Sequence, residues 1–538
     1  MTPDYIIVGA GSAGSILAAR LTEDPATRVL LLEAGGSDRS FWFQMPAGYV
    51  RSYFNPAVNW MFDSEPEPAM AGRRIYCPRG KVLGGSGSIN AMIWVRGQRR
   101  DFDDWRDAGN PGWGFDDAQP WFRGLERHPA GDSDWHSAAG PVGITPMRGQ
   151  THPICDRILT AAAEAQLPLT QDFNGAQFEG AGIYEANIAR GRRQSSARTH
   201  LRPALGGPNL ALRTGVRVLR LRLDDTGRAT GVDLRAPDGG VEGVTARRGV
   251  ILCAGAVGWP ALLQLSGIGA PGALQAAGVA VRHALPAVGQ NLQDHLCASF
   301  YYRATVPTLN NQLRPWWGQL WAGLRYVLTR SGPLALSVNQ AGGFFRSPLA
   351  ADGAPDLQLY FNPLSCRIPQ DRRARLLPEP YPGFLMAYSP CRPESRGSMT
   401  ITGPDALAAP AIRLNYLATE RDRAVAVEGA RLIPRLVEAP ALQAITAAEV
   451  SPGPECRESE ALLDHLRQTV GSIYHLCGTC AMGPDPARAV VDARLRVHGV
   501  PGLRVVDASV FPNITSGNIN APVMMLAERA AALIRQDG

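Results

Sequence analysis

The 538-residue sequence predicts an α/β fold, α+β overall, in which a Rossmann-like domain is interleaved with a domain built on an antiparallel sheet flanked by helices. Three observations predict this fold. The chain opens with an apolar strand, a glycine-rich turn, a helix and a second strand. Between residues 299 and 468, strand-like runs at 356–361, 383–388 and 397–402 precede a helical stretch, Thr419–Leu436. Apolar runs far along the chain can return to the first sheet.

The opening segment has the pattern of a dinucleotide-binding motif. Tyr5–Val8 is typical of a buried parallel strand, and GAGSAG follows at residues 9–14. The next residues predict a helix, and Thr27–Glu33 predicts a second strand that ends in an acid. This combination of strand, glycine motif, helix and acid is more specific than the glycines alone.

Each part of the motif has a mechanical role. Gly9 allows the tight turn, Gly11 lets the backbone approach a pyrophosphate, and Gly14 lets the helix pack on the strand. The helix N-terminus attracts phosphates. Glu33 is placed to bind ribose hydroxyls, and an acid there favours FAD or NAD over NADP.

A second glycine cluster, PRGKVLGGSGSIN at residues 78–90, has neither a helix period nor a strand period. Its glycines and small polar residues suit a loop that wraps closely around a ligand. A flexible linker is the alternative. The apolar run Ala91–Val95 follows at once, and this favours an ordered, buried loop.

Composition excludes several classes of protein. Apolar residues make up 45% and charged residues 19%, which is ordinary for a globular chain and unlike a disordered or fibrous one. The net charge of +6 comes from dispersed arginines, so no nucleic-acid partner is expected, although peripheral association with a membrane is compatible with it. No apolar run is long enough to span a bilayer, and no signal peptide precedes the first strand. We expect a cytoplasmic protein, soluble or peripheral at the inner membrane.

Cysteine usage gives no framework of disulfides. The nine cysteines are an odd number and widely scattered. Cys477 and Cys480 form a CxxC pair, but no second pair or zinc-finger histidines accompany them. We therefore predict no metal site.

Four further segments have recognisable patterns: GAVGWPALLQLSGIG at 255–269, VGQNLQDH at 288–295, YHLCGTCAMG at 474–483 and GNINAP at 517–522. Together with residues 80–90 they resemble, in order and over the whole chain, the glucose-methanol-choline (GMC) oxidoreductases, in particular the bacterial choline, alkanol and sorbose dehydrogenase branch. Two positions depart from the family pattern. Trp259 stands at the expected N-cap of a helix, where the family usually has Ser or Thr, and Leu476 replaces a usual proline.

The resemblance implies an FAD-binding domain at residues 1–155, 194–298 and 469–538, and a substrate-binding domain at 156–193 and 299–468. The runs Val216–Leu223, Val250–Cys253 and Leu503–Val506 are expected to return to the first sheet. The segment Gly36–Pro68, rich in Pro and aromatic residues, is interpreted as a lid, a dimer segment or an ordinary packed loop.

The resemblance, with the glycine motif, implies a set of cofactor-binding residues. Asp507, which follows the last run, would hold the ribityl or pyrophosphate part of FAD. Some relatives bind FAD covalently through a His at the position of Ile89, so we predict non-covalent FAD here. The full predicted set is Gly9, Gly11, Ser12, Ala13, Gly14, Glu33, Ala34, Arg79, Val82, Gly84, Gly85, Ser88, Asn90, Ala91, Val218, Asp507, Ala508, Asn518 and Pro522.

Alcohol oxidation by a flavin needs a base for the hydroxyl proton, transfer of a hydride to N5, and stabilisation of the charge that arrives near N1. The resemblance makes His475 the base and pairs it with Asn520, which would hold the substrate oxygen. Asn518 is the rival for that role, and helix capping is the alternative for either Asn. Pro522 is placed as the first residue of a final helix whose N-terminus suits an anionic ring.

The substrate is expected to be a small neutral alcohol. Gln340 stands where related alcohol dehydrogenases often carry Glu, so no charge there offsets a quaternary cation. Trp316, Trp317 and Trp321 either wall an apolar pocket or pack a helix. Electrons would pass to a quinone-like acceptor, with O2 as the alternative. A flavin-containing lyase and an electron-relay protein with inert FAD are the rival classes.

Overall fold

The computed structural model describes residues 2–350, 353–368, 372 and 376–537. Its first sheet is parallel and has five strands. Tyr5–Val8 lies at the centre, between Val29–Glu33 and Gly249–Leu252. Leu503–Val505 pairs with the latter strand and Leu210–Thr214 with the former. The predicted return of the runs at 250–253 and 503–506 is thereby confirmed.

The predicted return of Val216–Leu223 to this sheet is wrong. The strand Arg217–Leu223 pairs antiparallel with Ala229–Arg235, which pairs in turn with Val241–Thr245 in a separate three-stranded sheet. The edge of the first sheet is taken by Leu210–Thr214 instead. The chain bends at Gly215, whose φ of +72° is a conformation that glycine adopts freely, and only the first of the two runs extends the parallel sheet.

The second sheet is antiparallel, as predicted. Its strands lie in the order Thr446–Ser451, Leu296–Ala304, Gly383–Pro390, Leu357–Asn362, Ala341–Phe345 and Gly180–Ile183, and Gly471–Ser472 pairs with the start of the second of these. The predicted run at 397–402 does not join it. There, Ser398–Thr400 forms a separate pair with Ala411–Arg413.

The predicted helix at 419–436 is confirmed as Glu420–Val437, and it covers the second sheet. Thr419 is its N-cap, and the Thr419 side chain accepts a 3.1 Å hydrogen bond from the Asp422 amide. A Cβ at Gly429 would lie 2.2 Å from the Tyr388 ring, so the helix packs on the strand Gly383–Pro390 only because glycine stands there.

The structure buries two large apolar clusters, one around each sheet. No helix among the described residues is long and apolar enough to cross a membrane. The division of the chain into domains at the predicted residues stays a prediction. The longer α-helices are Ser12–Leu21, Arg99–Asp107, Phe115–Leu125, Ile154–Glu164, Gly255–Leu265, Trp316–Thr329, Glu420–Val437, Ser459–Thr469 and Asn520–Gln536.

Candidate active site

A cavity of 1890 Å³ is lined by residues of both sheets. Pockets for drug-sized ligands occupy roughly 300–1,000 Å³. This cavity therefore has room for a dinucleotide and a smaller second molecule. The segment 41–62 contributes many of its aromatic lining residues, so this part of Gly36–Pro68 forms cavity wall.

The first glycine motif forms one end of the cavity. Gly9 has a φ of +94°, and a Cβ there would lie 2.6 Å from the Cys253 carbonyl oxygen. A Cβ at Gly14 would lie 1.9 Å from the Gly9 carbonyl oxygen, so the helix Ser12–Leu21 approaches the strand as closely as predicted. Gly9 and Gly11 line the cavity with the first residues of that helix.

The second glycine cluster packs directly on the first. A Cβ at Gly85 would lie 2.8 Å from the Cα of Gly11, and the Gly84 amide donates a 2.7 Å hydrogen bond to the Ala10 carbonyl. The Ser88 hydroxyl donates to the Leu83 carbonyl at 2.7 Å. These contacts make the cluster an ordered loop rather than a flexible linker.

Most of the predicted site residues line the cavity, and five do not. Those on the wall are Gly9, Gly11, Ser12, Ala13, Glu33, Ala34, Arg79, Gly85, Asn90, Ala91, Val218, His475, Asp507, Ala508, Asn518 and Asn520. Gly14, Val82, Gly84, Ser88 and Pro522 are not on the wall. Gly14, Gly84 and Ser88 act through the backbone packing described above.

Glu33 ends its strand on the cavity wall, where burial raises the pKa of its carboxyl to about 7. Its two oxygens accept hydrogen bonds from the Ala10 amide at 2.9 Å and the Gly35 amide at 2.8 Å. These bonds fix the carboxylate beside the phosphate-binding turn. Each oxygen has a further lone pair with which it can accept from a ribose hydroxyl.

Replacing Glu33 by Gln should weaken FAD binding while it keeps one of the two backbone contacts. A hydrogen bond to a charged group contributes about 1.5–3 kcal/mol, which corresponds to roughly ten- to a hundredfold in affinity. Titration of the apoprotein with FAD, followed by flavin fluorescence, measures the change. Equal affinity in wild type and variant would mean that Glu33 does not bind the ribose.

Two further groups fit a flavin dinucleotide. The Arg79 guanidinium is buried on the cavity wall, and its Nε and Nη2 atoms find no hydrogen-bond partner among the described residues. Asp507 accepts hydrogen bonds from the Gly255 amide at 2.7 Å, from the Ser509 amide at 2.9 Å and from the Trp259 indole. The glycine cradle and the unpartnered cation together fit FAD.

Trp259 does not lie at the N-cap of its helix, where the family pattern had placed it. The helix begins at Gly255, soon after the strand Gly249–Leu252, so Trp259 lies inside the helix and not at its N-cap. Its indole N–H donates to Asp507, a contact that Ser or Thr at this position could not make in the same way.

The backbone beside His475 is held by one buried carboxylate. Asp294 accepts hydrogen bonds from the His475 amide at 2.6 Å, the Tyr416 hydroxyl at 2.5 Å and the Ser472 hydroxyl. Tyr474 has a φ of +73°, which a bulky residue rarely adopts. Because the Tyr474 amide donates to Ser472 at 2.7 Å, the same network stabilises this strained conformation and aims His475 into the cavity.

The His475 ring is oriented by a second buried histidine. His295 Nε2 lies 3.0 Å from the Cys391 carbonyl oxygen, which only accepts hydrogen bonds, so Nε2 carries the proton. Burial lowers the pKa of His295 to about 4, so its Nδ1 is an unprotonated acceptor. His475 Nδ1 lies 3.0 Å from that atom and must donate to it.

His475 is therefore left with an unprotonated Nε2. Burial, the His295 ring and the Arg79 guanidinium hold the pKa of His475 well below its ordinary value of 6.5, so the ring is neutral with one proton, on Nδ1. Asn518 Nδ2 lies 3.2 Å from Nε2 and donates to it. The arrangement presents a proton acceptor and an amide donor side by side on the cavity wall.

The structure pairs His475 with Asn518 and not with Asn520, contrary to the predicted pair. Asn518 Oδ1 accepts a 3.3 Å hydrogen bond from Gln358, and this turns the Asn518 amide nitrogen toward His475. Asn520 points to the phosphate loop, where its Oδ1 accepts a 3.0 Å hydrogen bond from the Ser12 hydroxyl.

The final helix begins two residues earlier than predicted. It starts at Asn520, so Pro522 is its third residue and not its first. Asn518 precedes the helix and is free to face the neighbouring sheet, whereas Asn520 is bound into the first turn. Because the helix begins at Asn520, Asn518 contacts His475 and Asn520 contacts Ser12.

The second sheet presents neutral side chains to the cavity. Alternate residues of the strand Leu296–Ala304, namely Cys297, Ser299 and Tyr301, line it. Ser299 pairs across the sheet with Ala387, which pairs with Tyr360. Burial raises the pKa of the Tyr301 hydroxyl to about 12, so that hydroxyl stays neutral.

Gln340 and the three tryptophans, which were also considered for the substrate pocket, lie in different surroundings. Gln340 lies on the wall, but its Oε1 accepts a 2.7 Å hydrogen bond from the His152 amide. Trp316, Trp317 and Trp321 neither wall the pocket nor pack a helix, because their side chains face outward.

Three residues that position His475 and Asn518 could not be identified from the sequence. Asp294 and His295 stand in the family-like segment 288–295, but no role could be assigned to them there. Their partners are about 180 residues away in sequence, at separations of 181 and 180. Gln358 lies in an ordinary strand, and nothing in its sequence neighbourhood distinguishes it.

Comparison with known proteins finds relatives over nearly the whole chain. The models of the N- and C-terminal domains of the GMC oxidoreductases match residues 3–297 and 393–527. An oxygen-dependent choline dehydrogenase of Escherichia coli O157:H7 (strain EC4115 / EHEC) is 39% identical over 537 residues, which cover 99% of this chain and 94% of the relative.

Two solved structures superpose on nearly the whole chain. Pyridoxine 4-oxidase from Mesorbium loti superposes with a TM-score of 0.89 at 32% identity and covers 99% of both chains. A formate oxidase superposes with a TM-score of 0.91 at 25% identity, over 100% of this chain and 98% of that one. Fold and site define an FAD-dependent oxidoreductase that acts on CH–OH donors. The chain belongs to the GMC oxidoreductase family.

Proposed function

We propose that this protein oxidises a small neutral alcohol, primary or secondary, to the aldehyde or ketone, with His475 as the base and a quinone-like molecule as the final electron acceptor. The observation that carries the proposal is the unprotonated Nε2 of His475, which lies beside the Asn518 amide on the cavity wall. A base with a neighbouring hydrogen-bond donor is what an alcohol needs to lose its proton.

Each residue of the site has a separate role in the proposed oxidation. His475 Nε2 accepts the hydroxyl proton, and Asn518 Nδ2 donates to the alcohol oxygen as that oxygen gains negative charge. Asp294 fixes the backbone and His295 the tautomer of His475. Glu33, Arg79 and the two glycine clusters would hold FAD. When bound, FAD would supply the two-electron acceptor for the hydride of the alcohol carbon.

The charges of the cavity support a neutral substrate. Among the described lining residues the carboxylates are Glu33, Asp405 and Asp507. Glu33 and Asp507 lie beside the cofactor-binding loops, and Asp405 lies near Arg217. None of them forms a hydrogen bond with the His475 side chain, and the buried Asp294 carboxylate beside the His475 backbone does not line the cavity and already accepts three hydrogen bonds. A quaternary ammonium group there would therefore lack an available counter-charge, although one relative is named for choline.

An anaerobic screen of alcohols, read at the absorption band of the flavin, tests the proposal. A neutral alcohol should bleach the band, and choline should not do so at the same concentration. A lyase that uses its flavin only structurally would turn over its substrate without bleaching. If no alcohol bleaches the flavin, the proposed reaction is wrong.

The second candidate for the acceptor is O2. Two relatives with solved structures are named oxidases, and the choline dehydrogenase relative is named oxygen-dependent. Steady-state rates with a soluble quinone and with O2 at equal concentrations distinguish the two acceptors. We expect the quinone to be faster.

We also propose that FAD is bound without a covalent link. Ile89, at the position of the linking His in some relatives, lies on the cavity wall and has no nucleophilic atom. Acid precipitation should therefore release all the flavin as intact FAD. Flavin that stays with the precipitated polypeptide would contradict the proposal.

His295 is a positioning residue, and its acceptor nitrogen should matter more than its bulk. We expect His295→Leu to lower the rate of flavin reduction about 10- to 100-fold, by analogy with the partners that orient metal-bound histidines. In the Leu variant His475 is free to carry its proton on Nε2, which removes the base.

The matched variant is His295→Asn, whose side-chain oxygen can accept from His475 Nδ1. It should recover most of the rate, and both variants should retain FAD. Stopped-flow reduction over a pH series separates this role from packing, because only loss of the acceptor should change the acid limb of the profile. Equal rates in the Leu and Asn variants would contradict the assignment.

A further inference from the structure

The helix Trp316–Thr329 turns its apolar side to solvent. The exposed side chains include Trp316 at 72%, Trp317 at 57% and Trp321 at 68%. Tyr326, in contrast, faces inward and is buried. Exposed residues also include Leu320, Leu324, Val327 and Leu328, and with the tryptophans they follow the helical period along one face. Contiguous apolar surface of this kind marks a docking site.

Two aromatic residues from another part of the chain extend this face. Phe41 and Trp42 are 41% and 42% exposed, and the Phe41 ring lies 5.8 Å from the ring of Tyr326. Trp42 is in edge contact with Phe41 at 5.4 Å. We call the outer face of the Trp316–Thr329 helix, together with Phe41 and Trp42, the tryptophan patch.

The surroundings of the tryptophan patch are cationic and poor in acids. The helix and its flanks, residues 305–340, contain no Asp or Glu but three Arg, and residues 39–62 again contain no acid. The Arg51 guanidinium lies 5.0 Å from the centre of the Trp42 ring, and that of Arg330 lies 4.9 Å from the centre of the Tyr326 ring. The apolar face is therefore rimmed by arginines.

The positive charge around the tryptophan patch favours an anionic partner over a second copy of the chain. A second copy of the chain, docked through the same patch, would bring arginines against arginines, which costs energy. An anionic phospholipid surface offers the opposite charge, and its interface accommodates tryptophan rings. We propose that the tryptophan patch docks the protein on an anionic membrane surface.

The tryptophan patch lies beside the cavity. Gln319, Gly323 and Val327 of the same helix line the cavity. A molecule dissolved in the bilayer would therefore meet the cavity beside the docked face. This use of the surface rests on the proposed function, since it suits a lipophilic quinone-like acceptor, whereas docking itself does not depend on the reaction.

Sedimentation with vesicles tests the proposal on the FAD-loaded protein. The wild type should sediment with vesicles of phosphatidylglycerol and phosphatidylcholine, more weakly with phosphatidylcholine alone, and less at high salt. Trp316→Ser/Trp317→Ser/Trp321→Ser should weaken binding at least tenfold. Val241→Ser/Leu407→Ser, which replaces two exposed apolar residues outside the patch, should leave binding unchanged.

Further readouts keep the result unambiguous. Flavin content and thermal unfolding show that the triple variant is folded, and quenching of tryptophan fluorescence by brominated lipid should occur in the wild type only. The proposal is overturned if the wild type does not bind anionic vesicles, or if the triple variant binds as the wild type does. It is also overturned if the wild type is a dimer that the triple variant converts to monomer without any vesicle binding. Reduction of the flavin by alcohols tests the reaction separately.

Discussion

His475→Ala should lower the rate of flavin reduction by an alcohol by at least the ~10²–10⁴-fold that a positioned general base contributes. The variant should keep its fold and its FAD, because the Asp294 carboxylate accepts from the backbone amide of residue 475 and not from its side chain. Anaerobic stopped-flow measures this step without the acceptor. A variant that reduces its flavin within about threefold of wild type would place the base elsewhere.

His498→Gln is the matched control. The His498 ring donates a 2.9 Å hydrogen bond to the Gly483 carbonyl and does not line the cavity. Its replacement should leave the rate of flavin reduction within about threefold of wild type, whereas removal of a base costs far more.

The pH dependence follows from the lowered pKa of His475. Burial, His295 and Arg79 favour the neutral ring, so the base is free above its lowered pKa and is lost only when the pH falls through that value. The rate of flavin reduction should therefore be flat through neutral pH, with an acid limb below pH 6.5, the ordinary pKa of the ring. An acid limb centred above that value would contradict the buried, neutral assignment.

Asn518→Ala should lower the rate of flavin reduction about 10²-fold or more, because single oxyanion donors contribute roughly 2.7–4 kcal/mol. The variant leaves both the developing charge on the substrate oxygen and the Gln358 amide without their partner. The same stopped-flow experiment measures the loss, and the content of FAD should not change.

Asn520→Ala separates the two asparagines. Asn520 contacts the Ser12 hydroxyl at the phosphate loop, so its loss should weaken retention of FAD and change the rate of flavin reduction by less than about tenfold in fully loaded protein. If instead Asn520→Ala costs more than Asn518→Ala in the chemical step, the pairing in the structure is not the catalytic one.

The sequence by itself determined the parts of this protein that depend on local spacing. The turn at Gly9, the close packing at Gly14 and the acid at the end of the second strand need only a few neighbouring residues, and their roles follow from backbone sterics. The resemblance to the GMC family identified His475 as the base from the short motif at residues 474–483, which is also a local pattern. The runs at 250–253 and 503–506 could be placed because buried parallel strands are rich in Val, Ile and Leu, although the second run includes Arg504.

Tertiary structure decided what depends on partners far apart in the chain. The exchange of Asn520 for Asn518 turned on where a helix begins, and the orientation of Asn518 turned on Gln358 in the other sheet. The proton on His475 is fixed by a histidine 180 residues away and by the carbonyl that this histidine contacts. The outward face of the tryptophans depends on which side of their helix meets the rest of the protein, and periodicity alone leaves that side unspecified.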